Sequence, residues 1–523
     1  MGVYLNPGND AFRMAINDDI YIDKTELIKQ TNHRLGKRNR YICVSRPRRF
    51  GKSMTAEMLT AYYGKDCDSS ELFAPYKIAK AEDYRKHMNQ YNVIMLNIQE
   101  FLSVTGSVAE MMEYLQEEVM EEIKECYPGK ISEKERFLSM ALNKIYSKTN
   151  EGVIFIIDEW DCILRDKQYS ADDQKKYLDF IRNLLKDKAY VSLAYMTGIL
   201  PIKKYGTHSA LNMFAEYSMT EPFEYAEFIG FTESEVKGLC EKYHADYDMM
   251  KSWYDGYAFP EVGHIYNPKS VVDSILRKGF SSYWTQTETY EALKVYIDLN
   301  YDGLKDSIVK MLAGEKVTIN PERFQNDMTT FSSKDDVLTL LVHLGYLAFD
   351  REKSAVFIPN AEIRGEFRNA IIGEHWKDVI DALEQSDRLL SATWQKDGEK
   401  VAEILDAVHS ENTSILTYND KNSLSCVISL AYHNAMKEYT KIRELPTGKG
   451  FADIVYLPKK HSDKPAMMIE LKYDKSAQGA INQIKEKKYV ESLKEYHGNL
   501  LLVGINYEKD TKKHTCVIET YEK

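Results

Sequence analysis

The stretch YICVSRPRRFGKS, residues 41–53, joins an apolar run to a basic loop that contains one glycine and one lysine. Residues 41–45 predict a short strand, and the helical pattern that begins at Lys52 continues to about Tyr63. A loop between a strand and a helix N-terminus is the setting in which backbone N–H groups hold phosphate oxygens. The stretch therefore predicts a phosphate-binding loop in an α/β domain.

The residues of this loop have distinct expected roles. Lys52 would reach the β- and γ-phosphates of ATP, and Ser53 would ligate Mg²⁺. The arginines would neutralise phosphate or contact a neighbouring subunit. The alternative is a basic loop that only caps a helix, because the usual first glycine is replaced by Arg46. The residues that we expect to bind the nucleotide are Arg46, Pro47, Arg48, Arg49, Phe50, Gly51, Lys52 and Ser53.

Three further apolar runs predict the rest of a parallel sheet. Residues 92–98, 152–157 and 191–197 are separated by helical patterns, the longest over 107–148. Strands that alternate with helices predict a parallel sheet with helices on both faces. We assign residues 1–230 to this P-loop nucleotide-binding domain.

Polar residues end two of these runs, where parallel sheets bind ligands. Asp158 would reach the hydration shell of Mg²⁺, and Glu159 would orient and deprotonate the attacking water. Thr197 would sense the γ-phosphate. Asp161 lies close by without a predicted role. The alternatives are a solvated acidic pair and an ordinary strand-end cap.

The middle of the chain, residues 231–378, is mainly helical in pattern. Residues 335–346 predict an amphipathic helix, and residues 347–359 predict a hairpin that follows it. A helix followed by a hairpin resembles a winged-helix unit. We assign this region to a helical lid and residues 379–523 to a third, α/β domain.

Two predicted strands near the C-terminus bring charged residues together. A hairpin of residues 451–457 and 466–472 would place Asp453 beside Glu470 and Lys472. Two carboxylates and an ammonium form a hard-cation site suited to metal-assisted hydrolysis of a phosphodiester. The alternative is a surface cross-strand ion pair. The flanking predictions are helices over 422–438 and 477–496 and a strand over 499–505.

Composition limits the compartment and the partners. The 523 residues are 44% hydrophobic and 28% charged, as in soluble proteins with more than one core. No apolar run could span a bilayer, and the seven cysteines form no CxxC pair. We therefore expect a cytoplasmic protein that does not bind membranes. The net charge of −11 argues against a coat of nucleic acid, but residues 441–523 carry 16 Lys and Arg against 12 acids.

These motifs together resemble a bacterial family in which an AAA-like P-loop ATPase is fused to a C-terminal PD-(D/E)XK nuclease-like domain. The resemblance covers nearly the whole chain and implies ATP and Mg²⁺ as cofactors. It also implies that Arg46 in place of a glycine is a family trait. The similar segments are Tyr21–Thr25, Ser45–Ser53, Ile156–Glu159, Thr197–Ile202, Trp253–Tyr257 and Tyr266–Pro268.

The C-terminal part resembles the nuclease core of this family. The resemblance implies that Asp453 and Glu470 hold the metal and that Lys472 positions the attacking water. It further implies that Gln483, with Tyr489, orients the site from the following helix. The fold implied is an α/β restriction-endonuclease-like domain.

One family feature is difficult to place. Many nucleases of this superfamily also use a glutamate from the first helix of the core, and neither Glu438 nor Glu444 aligns with it. The resemblance implies an ATPase coupled to a Mg²⁺-dependent nuclease that acts on nucleic acid, with DNA expected. The sequence leaves the oligomeric state open, and a homo-oligomer is one option. The alternative is a nucleotide-dependent switch whose nuclease-like domain does not cut.

Overall fold

A computed structural model describes most of the chain. The described residues are 2–202, 204–205, 208–209, 211–284, 290–299, 301, 303–326, 328, 331–371, 376–412, 421–447, 450–459, 462–487, 489, 493 and 499–521.

The chain divides into two compact units, each built from two segments. The first unit comprises Met1–Thr289 and Thr318–Gly365, and the second comprises Tyr290–Val317 and Glu366–Lys523. The region predicted as one lid, residues 231–378, is therefore shared between the two units. The boundaries at residues 230 and 378 stay predictions.

In chain order, the strands of the described residues are β1 (Tyr41–Ser45), β2 (Asn92–Asn97), β3 (Val153–Asp158), β4 (Val191–Gly198), β5 (Lys204–Tyr205), β6 (His208–Ser209), β7 (Ala215–Tyr217), β8 (Phe231–Thr232), β9 (Tyr257–Phe259), β10 (Gly263–Tyr266), β11 (Val317–Thr318), β12 (Ala348–Asp350), β13 (Ala355–Phe357), β14 (Tyr439–Thr447), β15 (Gly450–Pro458), β16 (Ala466–Tyr473), β17 (Leu500–Glu508) and β18 (Lys513–Thr520).

The helices, also in chain order, are α1 (Asp10–Ile16), α2 (Leu27–Arg34), α3 (Lys52–Tyr63), α4 (Ser70–Phe73), α5 (Tyr84–His87), α6 (Ile98–Ser103), α7 (Val108–Cys126), α8 (Leu138–Thr149), α9 (Cys162–Arg165), α10 (Ala171–Leu185), α11 (Glu233–Tyr243), α12 (Tyr247–Tyr254), α13 (Pro268–Arg277), α14 (Tyr290–Ile297), α15 (Leu304–Leu312), α16 (Lys334–Leu344), α17 (Ala361–Ala370), α18 (Lys377–Trp394), α19 (Gly398–Asn412), α20 (Lys421–Ala431), α21 (Ala435–Glu438) and α22 (Ala477–Glu486).

The main sheet of the first unit has the strand order β2-β3-β4-β1-β7, and all its neighbouring strands are parallel. β1 and β3 are buried along their whole length, as expected for strands covered on both faces. β4 lies between β1 and β3. The carboxyl end of β1, which precedes the phosphate loop, and the carboxyl end of β3, at Asp158, therefore lie on either side of the carboxyl end of β4. This order places the predicted nucleotide residues together at the carboxyl ends of the central strands.

One helical prediction needs correction. Residues 107–148 were expected to be helical throughout, but the structure has two helices, α7 and α8, with an interruption between them. Pro128 cannot donate a backbone hydrogen bond, and Gly129 adopts a left-handed conformation with φ +72°. These two residues end α7 and let the chain turn back.

The predicted helix and hairpin of the middle region occur in the first unit. α16 is followed by the antiparallel pair β12–β13, with β11 as a third strand. Gly345 ends α16 with φ +90°, a conformation that glycine adopts without steric cost.

The second unit contains a mixed sheet with the order β14-β15-β16-β17-β18. β16 and β17 are parallel, and α22 lies in the crossover that this pairing requires. The predicted strands over 451–457, 466–472 and 499–505 are present as β15, β16 and β17, whereas β14 and β18 were not predicted. The predicted helix over 477–496 ends at Glu486, and its later part lies largely outside the described residues.

We find no helix in the described parts of the chain that combines the length and the apolar character needed to cross a bilayer. The 19-residue helix α7, for example, carries seven glutamates.

Candidate functional site

The predicted phosphate loop has an unusual backbone that suits anion binding. β1 ends at Ser45 and α3 begins at Lys52. Arg49 has φ +67° and Gly51 has φ +95°, so two left-handed residues lie within three positions. Left-handed residues within a short loop can turn successive N–H groups into one concavity, which is how backbone nests hold anions. The loop therefore has the backbone features of an anion-binding nest at the start of a helix.

This loop borders a cavity of about 670 Å³, a size typical of small-molecule sites. Two arginines of the loop, Arg48 and Arg49, are exposed. The predicted nucleotide residues that line the cavity are Arg48, Arg49, Phe50, Gly51, Lys52, Ser53 and Glu159.

Lys52 is held inside the loop. Its side chain is buried, and its Nζ donates to the carbonyl oxygen of Pro47 at 3.0 Å. Burial lowers the pKa of Lys52, and the nearby carboxylates of Glu159 and Asp158 oppose this effect. On nucleotide binding, a phosphate oxygen would replace the Pro47 carbonyl oxygen as the acceptor of this ammonium.

The two predicted Mg²⁺ ligands of the first unit meet at this edge. Asp158 is 1% exposed at the end of β3. Burial raises the pKa of Asp158, and a hydrogen bond from the Ser53 side chain lowers it. The hydroxyl and the carboxylate are thus already adjacent, and both are oxygen ligands of the kind that Mg²⁺ prefers.

Glu159 has a partner that the sequence did not predict. Its backbone is left-handed, with φ +50°, and its carboxylate forms an ion pair with Arg165. The Nε of Arg165 lies 3.2 Å from Oδ2 of Asp161. Asp161 in turn accepts hydrogen bonds from the N–H groups of Ile199 and Leu200, at 3.0 and 2.7 Å. The role of Asp161 is therefore to anchor the segment after β4, and its i,i+4 spacing to Arg165 was the available signal.

Thr197 and Arg46 lie near the same edge in different surroundings. The Thr197 hydroxyl is fully buried and has no hydrogen-bond partner among the residues that the structure describes. Arg46 is also fully buried, and it donates to the carbonyl oxygens of Tyr217 at 3.1 Å and Tyr225 at 3.4 Å. Burial lowers the pKa of Arg46 to about 10. Through these contacts, Arg46 holds the start of the loop to the backbone at Tyr217 and Tyr225. The buried Thr197 hydroxyl, which has no partner among the described residues, could still bind a ligand.

Another part of the cavity lining comes from one face of α13. Asn267 caps this helix by accepting from the N–H of Ser270, and Pro268 occupies its first turn. The Nζ of Lys269 pairs with Asp273 at 2.8 Å. Leu276 is 48% exposed although it lines the cavity. The lining residues of this face are Pro268, Lys269, Val272, Asp273 and Leu276.

A segment near the N-terminus also lines this cavity. Ile20, Tyr21 and Ile22 line the cavity. Lys24 donates to Glu235 at 2.6 Å, which ties the segment to the first turn of α11. Two segments that resemble the bacterial family, Tyr21–Thr25 and Tyr266–Pro268, thus contribute residues to the cavity, although no residue of either was predicted to bind ligand.

The second candidate site lies where β15 and β16 separate. Their antiparallel pairing stops at Ile454 and Ile469. Beyond this point, Oδ2 of Asp453 accepts from the backbone N–H of Leu471 at 2.8 Å. The Asp453 carboxylate therefore lies beside the peptide group that joins Glu470 to Leu471, as the hairpin prediction required.

Gln483 links the other two predicted residues. Its Nε2 donates to Oε1 of Glu470, and its Oε1 accepts from Nζ of Lys472. Nζ of Lys472 is 3.4 Å from Oε1 of Glu470, which is 1% exposed. Nε2 of Gln483 is also 3.4 Å from the hydroxyl of Tyr489. A carboxylate, an amide and an ammonium therefore form one hydrogen-bonded chain in which the amide orientation is fixed by both neighbours.

The structure also locates the two candidates for the additional family acid. Glu438 comes directly before Tyr439, the first residue of β14, which pairs with Pro458. Pro458 lies five positions beyond Asp453 on β15, about 17 Å along that strand. Glu444 is exposed on β14 and has φ +49°. Within the described ranges, no group of three or more His, Cys, Asp or Glu is arranged to hold a metal ion. Asp453 and Glu470 supply the oxygen ligands that Mg²⁺ prefers, but a third acid is not added to them there.

Comparisons with known proteins agree with both halves of this description. Residues 8–207 match the family model described as predicted AAA-ATPase. Residues 425–516 match the PD-(D/E)XK nuclease superfamily. A curated relative, "Uncharacterized protein in vnfD 5'region" from Azotobacter chroococcum mcd 1, is 21% identical over 95% of this chain and 94% of its own length.

Solved structures of the Aeropyrum pernix ORC2 protein are also similar to part of the chain. The ADPNP–ADP complexes show 12% identity over 68% of this chain and 96% of that chain, with a TM-score of 0.30. The ADP form shows 11% identity over 68% and 97%, with a TM-score of 0.28. These scores are too low to inform fold or function. By its two family matches, the chain joins a domain of the predicted AAA-ATPase family to a domain of the PD-(D/E)XK nuclease superfamily.

Proposed function

We propose that the first unit binds and hydrolyses ATP and that the second unit cleaves nucleic acid, with DNA as the expected substrate, in a Mg²⁺-dependent reaction. ATP binding or turnover would license the cleavage. The proposal has two parts, and a different observation supports each part.

The ATPase part rests on the convergence of Lys52, Ser53, Asp158 and Glu159 at one sheet edge beside a cavity of about 670 Å³. The phosphates would lie on the loop at the N-terminus of α3, where N–H groups and the helix dipole favour anions. The base would lie against the apolar side chains of Val272 and Leu276 on α13.

Each residue of this site has a definite task. Lys52 would exchange the Pro47 carbonyl for a phosphate oxygen. Glu159 would orient the attacking water and accept its proton, while Arg165 holds the Glu159 carboxylate in place. Ser53 and Asp158 would hold Mg²⁺, which neutralises phosphate charge when bound.

The nuclease part rests on the hydrogen-bonded chain of Glu470, Gln483 and Lys472 next to Asp453. Asp453 and Glu470 would hold the metal ion, which supplies a bound water of lowered pKa and offsets charge on the phosphate. Lys472 would donate to the developing negative oxygen. Gln483 would hold the Glu470 carboxylate and the Lys472 ammonium in position.

A cleavage assay tests the nuclease part. Plasmid, linear and single-stranded DNA and RNA are incubated with the full chain in Mg²⁺, Mn²⁺ or EDTA, with and without ATP. We expect cleavage that needs the metal and responds to ATP. Wild-type protein that binds DNA but leaves every substrate intact in all metals would exclude a nuclease.

The alternative is a nucleotide-dependent switch that binds nucleic acid and does not cut. One observation favours it, namely that the described residues place no third acid with Asp453 and Glu470. The switch predicts that wild type and Glu470→Ala bind DNA alike in both nucleotide states. The two functions therefore separate in the same assay.

We also propose that the protein acts in the bacterial cytoplasm as a homo-oligomer. Arg48 and Arg49 are exposed at the cavity. From there, either arginine could contact a neighbouring copy of the chain or the nucleotide bound to it. Light scattering with and without a non-hydrolysable ATP analogue would show a change of mass if the nucleotide site lies at a subunit boundary. An unchanged monomer mass would contradict this point.

A further inference from the structure

The phosphate loop is bound from outside the cavity by a distant tryptophan. The indole Nε1 of Trp284 donates to the carbonyl oxygen of Arg48 at 3.0 Å, across 236 residues of sequence. Trp284 is 2% exposed. The bond therefore joins a buried ring to the backbone of the loop, and losing it would leave the Arg48 carbonyl without this donor.

The direction of this bond matters for the loop. In a planar trans peptide the carbonyl of one residue and the N–H of the next point in opposite directions. A donor that binds the Arg48 carbonyl therefore directs the N–H of Arg49 the other way. Since Arg49 has φ +67° and lines the cavity, Trp284 favours a loop conformation in which that N–H is available to an anion.

Trp284 is itself fixed by a buried carboxylate. Oε1 of Glu362 accepts from the backbone N–H groups of Tyr283 and Trp284, at 2.6 and 2.8 Å. Oε2 of Glu362 accepts from the hydroxyl of Ser270 at 2.8 Å. Glu362 is 3% exposed, so these bonds compensate the burial of its charge. They also determine where the indole ring lies.

Packing leaves little freedom in this arrangement. The Trp284 ring packs edge-to-face against Tyr346, with ring centroids 5.3 Å apart. A Cβ atom on Gly345 would lie 2.8 Å from Pro47 and 3.4 Å from Trp284. The loop, the indole and the end of α16 are thus in contact without space for an added methyl group.

Glu362 lies in the first turn of α17, and α17 runs from the first compact unit into the second, which resumes at Glu366. We propose that Glu362, Trp284 and the Arg48 carbonyl form a relay that couples the conformation of the phosphate loop to α17, and through that helix to the nuclease-like unit. The proposal rests on the proposed function, because the ligand of the loop is taken to be ATP.

The first test uses Trp284→Phe, which removes the indole N–H and keeps an aromatic ring. We expect a fluorescent non-hydrolysable ATP analogue to bind about three- to tenfold more weakly, the loss typical of one hydrogen bond. Trp253→Phe, on α12, is the matched control and should bind like wild type. Equal affinity of Trp284→Phe and wild type would overturn the role of the indole.

The second test follows the signal itself. In wild type, binding of the analogue should slow hydrogen–deuterium exchange in a peptide covering residues 361–371. Trp284→Phe and Glu362→Gln, both at saturating analogue, should lose this protection, and Trp253→Phe should keep it. If Glu362→Gln does not fold, Ser270→Ala removes one bond to Glu362 and should show a partial loss. Protection that persists in Trp284→Phe overturns the relay.

The outcomes separate the relay from the function on which it rests. If wild type does not bind the analogue, the ATP site is wrong and the relay falls with it. If wild type binds the analogue without any change in residues 361–371, only the relay is wrong. If exchange responds but wild type cuts no DNA, the relay holds and the nuclease part fails.

Discussion

The two candidate sites differ in how far along the chain their parts come from. The nucleotide cavity is lined by residues from Phe12 to Leu276 and is braced by Trp284 and Glu362. The nuclease-like site is built between Asp453 and Tyr489, on one hairpin and the helix that follows. The first site therefore depends on long-range packing, and the second depends on a few local hydrogen bonds.

This contrast suggests how each site responds to substitution. Many groups share the binding of a triphosphate, so loss of one should weaken binding without removing it. The nuclease-like site has only two predicted metal ligands, so loss of one should remove the chemistry. Three predictions test this difference, and a fourth tests the stability of the second unit.

The largest effect is expected at Glu470. Glu470→Ala removes one of two predicted metal ligands and should lower Mg²⁺-dependent DNA cleavage at least about a hundredfold, because several kcal/mol of charge stabilisation are lost. ATP turnover should be unchanged. Glu519→Ala, on β18 of the same sheet, is the control. Residual cleavage within threefold of wild type would contradict the metal role of Glu470.

At the other site, Lys52→Ala should weaken ATP-analogue binding about 10- to 100-fold, the range for a hydrogen bond to a charged group. Titration with a fluorescent analogue measures this change. Lys65→Ala, which breaks an ion pair with Glu151 elsewhere in the same unit, should bind normally. The prediction fails if both variants keep wild-type affinity.

Gln483 tests whether the hydrogen-bonded chain positions the nuclease groups. Gln483→Ala should slow cleavage about tenfold or more, within the range for residues that orient metal ligands. It should also weaken Mn²⁺ binding by calorimetry, which a remote structural change would not do. Gln478→Ala, on the same helix, is the control, and equal behaviour of the two variants would argue against a positioning role.

The smallest expected effect concerns stability of the second unit in acid. Burial, with a smaller contribution from His514, lowers the pKa of His409 to about 4, below its ordinary value of about 6.5. In the unfolded chain His409 is protonated below about pH 6.5, whereas in the folded unit it stays neutral down to about pH 4. The stability that is present above pH 6.5 is therefore lost as the pH falls toward 4. The expected loss by pH 5 is about 2 kcal/mol.

Denaturant unfolding at pH 7 and pH 5 measures this loss. His409→Gln should show a shallower decline between the two pH values than wild type, while the first unit should behave alike in both proteins. Parallel declines in wild type and His409→Gln would contradict the prediction.

The same contrast explains which features could be predicted from sequence. Glu470, Lys472 and Gln483 lie within fourteen positions on a strand and the next helix, so alternation and family resemblance were enough to bring them together. The phosphate loop was predictable for the same reason, since strand, loop and helix are consecutive. The tasks of the individual residues remain predictions.

Long-range features gave no comparable signal. The contribution of α13 to the cavity and the contact of Trp284 with Arg48 depend on packing between residues far apart in the chain, which one sequence does not encode in any local pattern. Arg46 looked like a phosphate ligand because it is basic, yet its position directly after β1 directs it at backbone carbonyls of the same unit. β14 and β18 were missed because both are edge strands with many polar residues, which weakens the apolar pattern.

The most direct test of the two-site proposal is single-turnover cleavage of linear DNA by wild type and Lys52→Ala, each with ATP, with ADP and without nucleotide. We predict that ATP, at a concentration near the wild-type Kd, changes the wild-type cleavage rate at least severalfold and leaves the Lys52→Ala rate nearly unchanged. Cleavage by wild type that is identical in all three nucleotide states would contradict the coupling of the two sites.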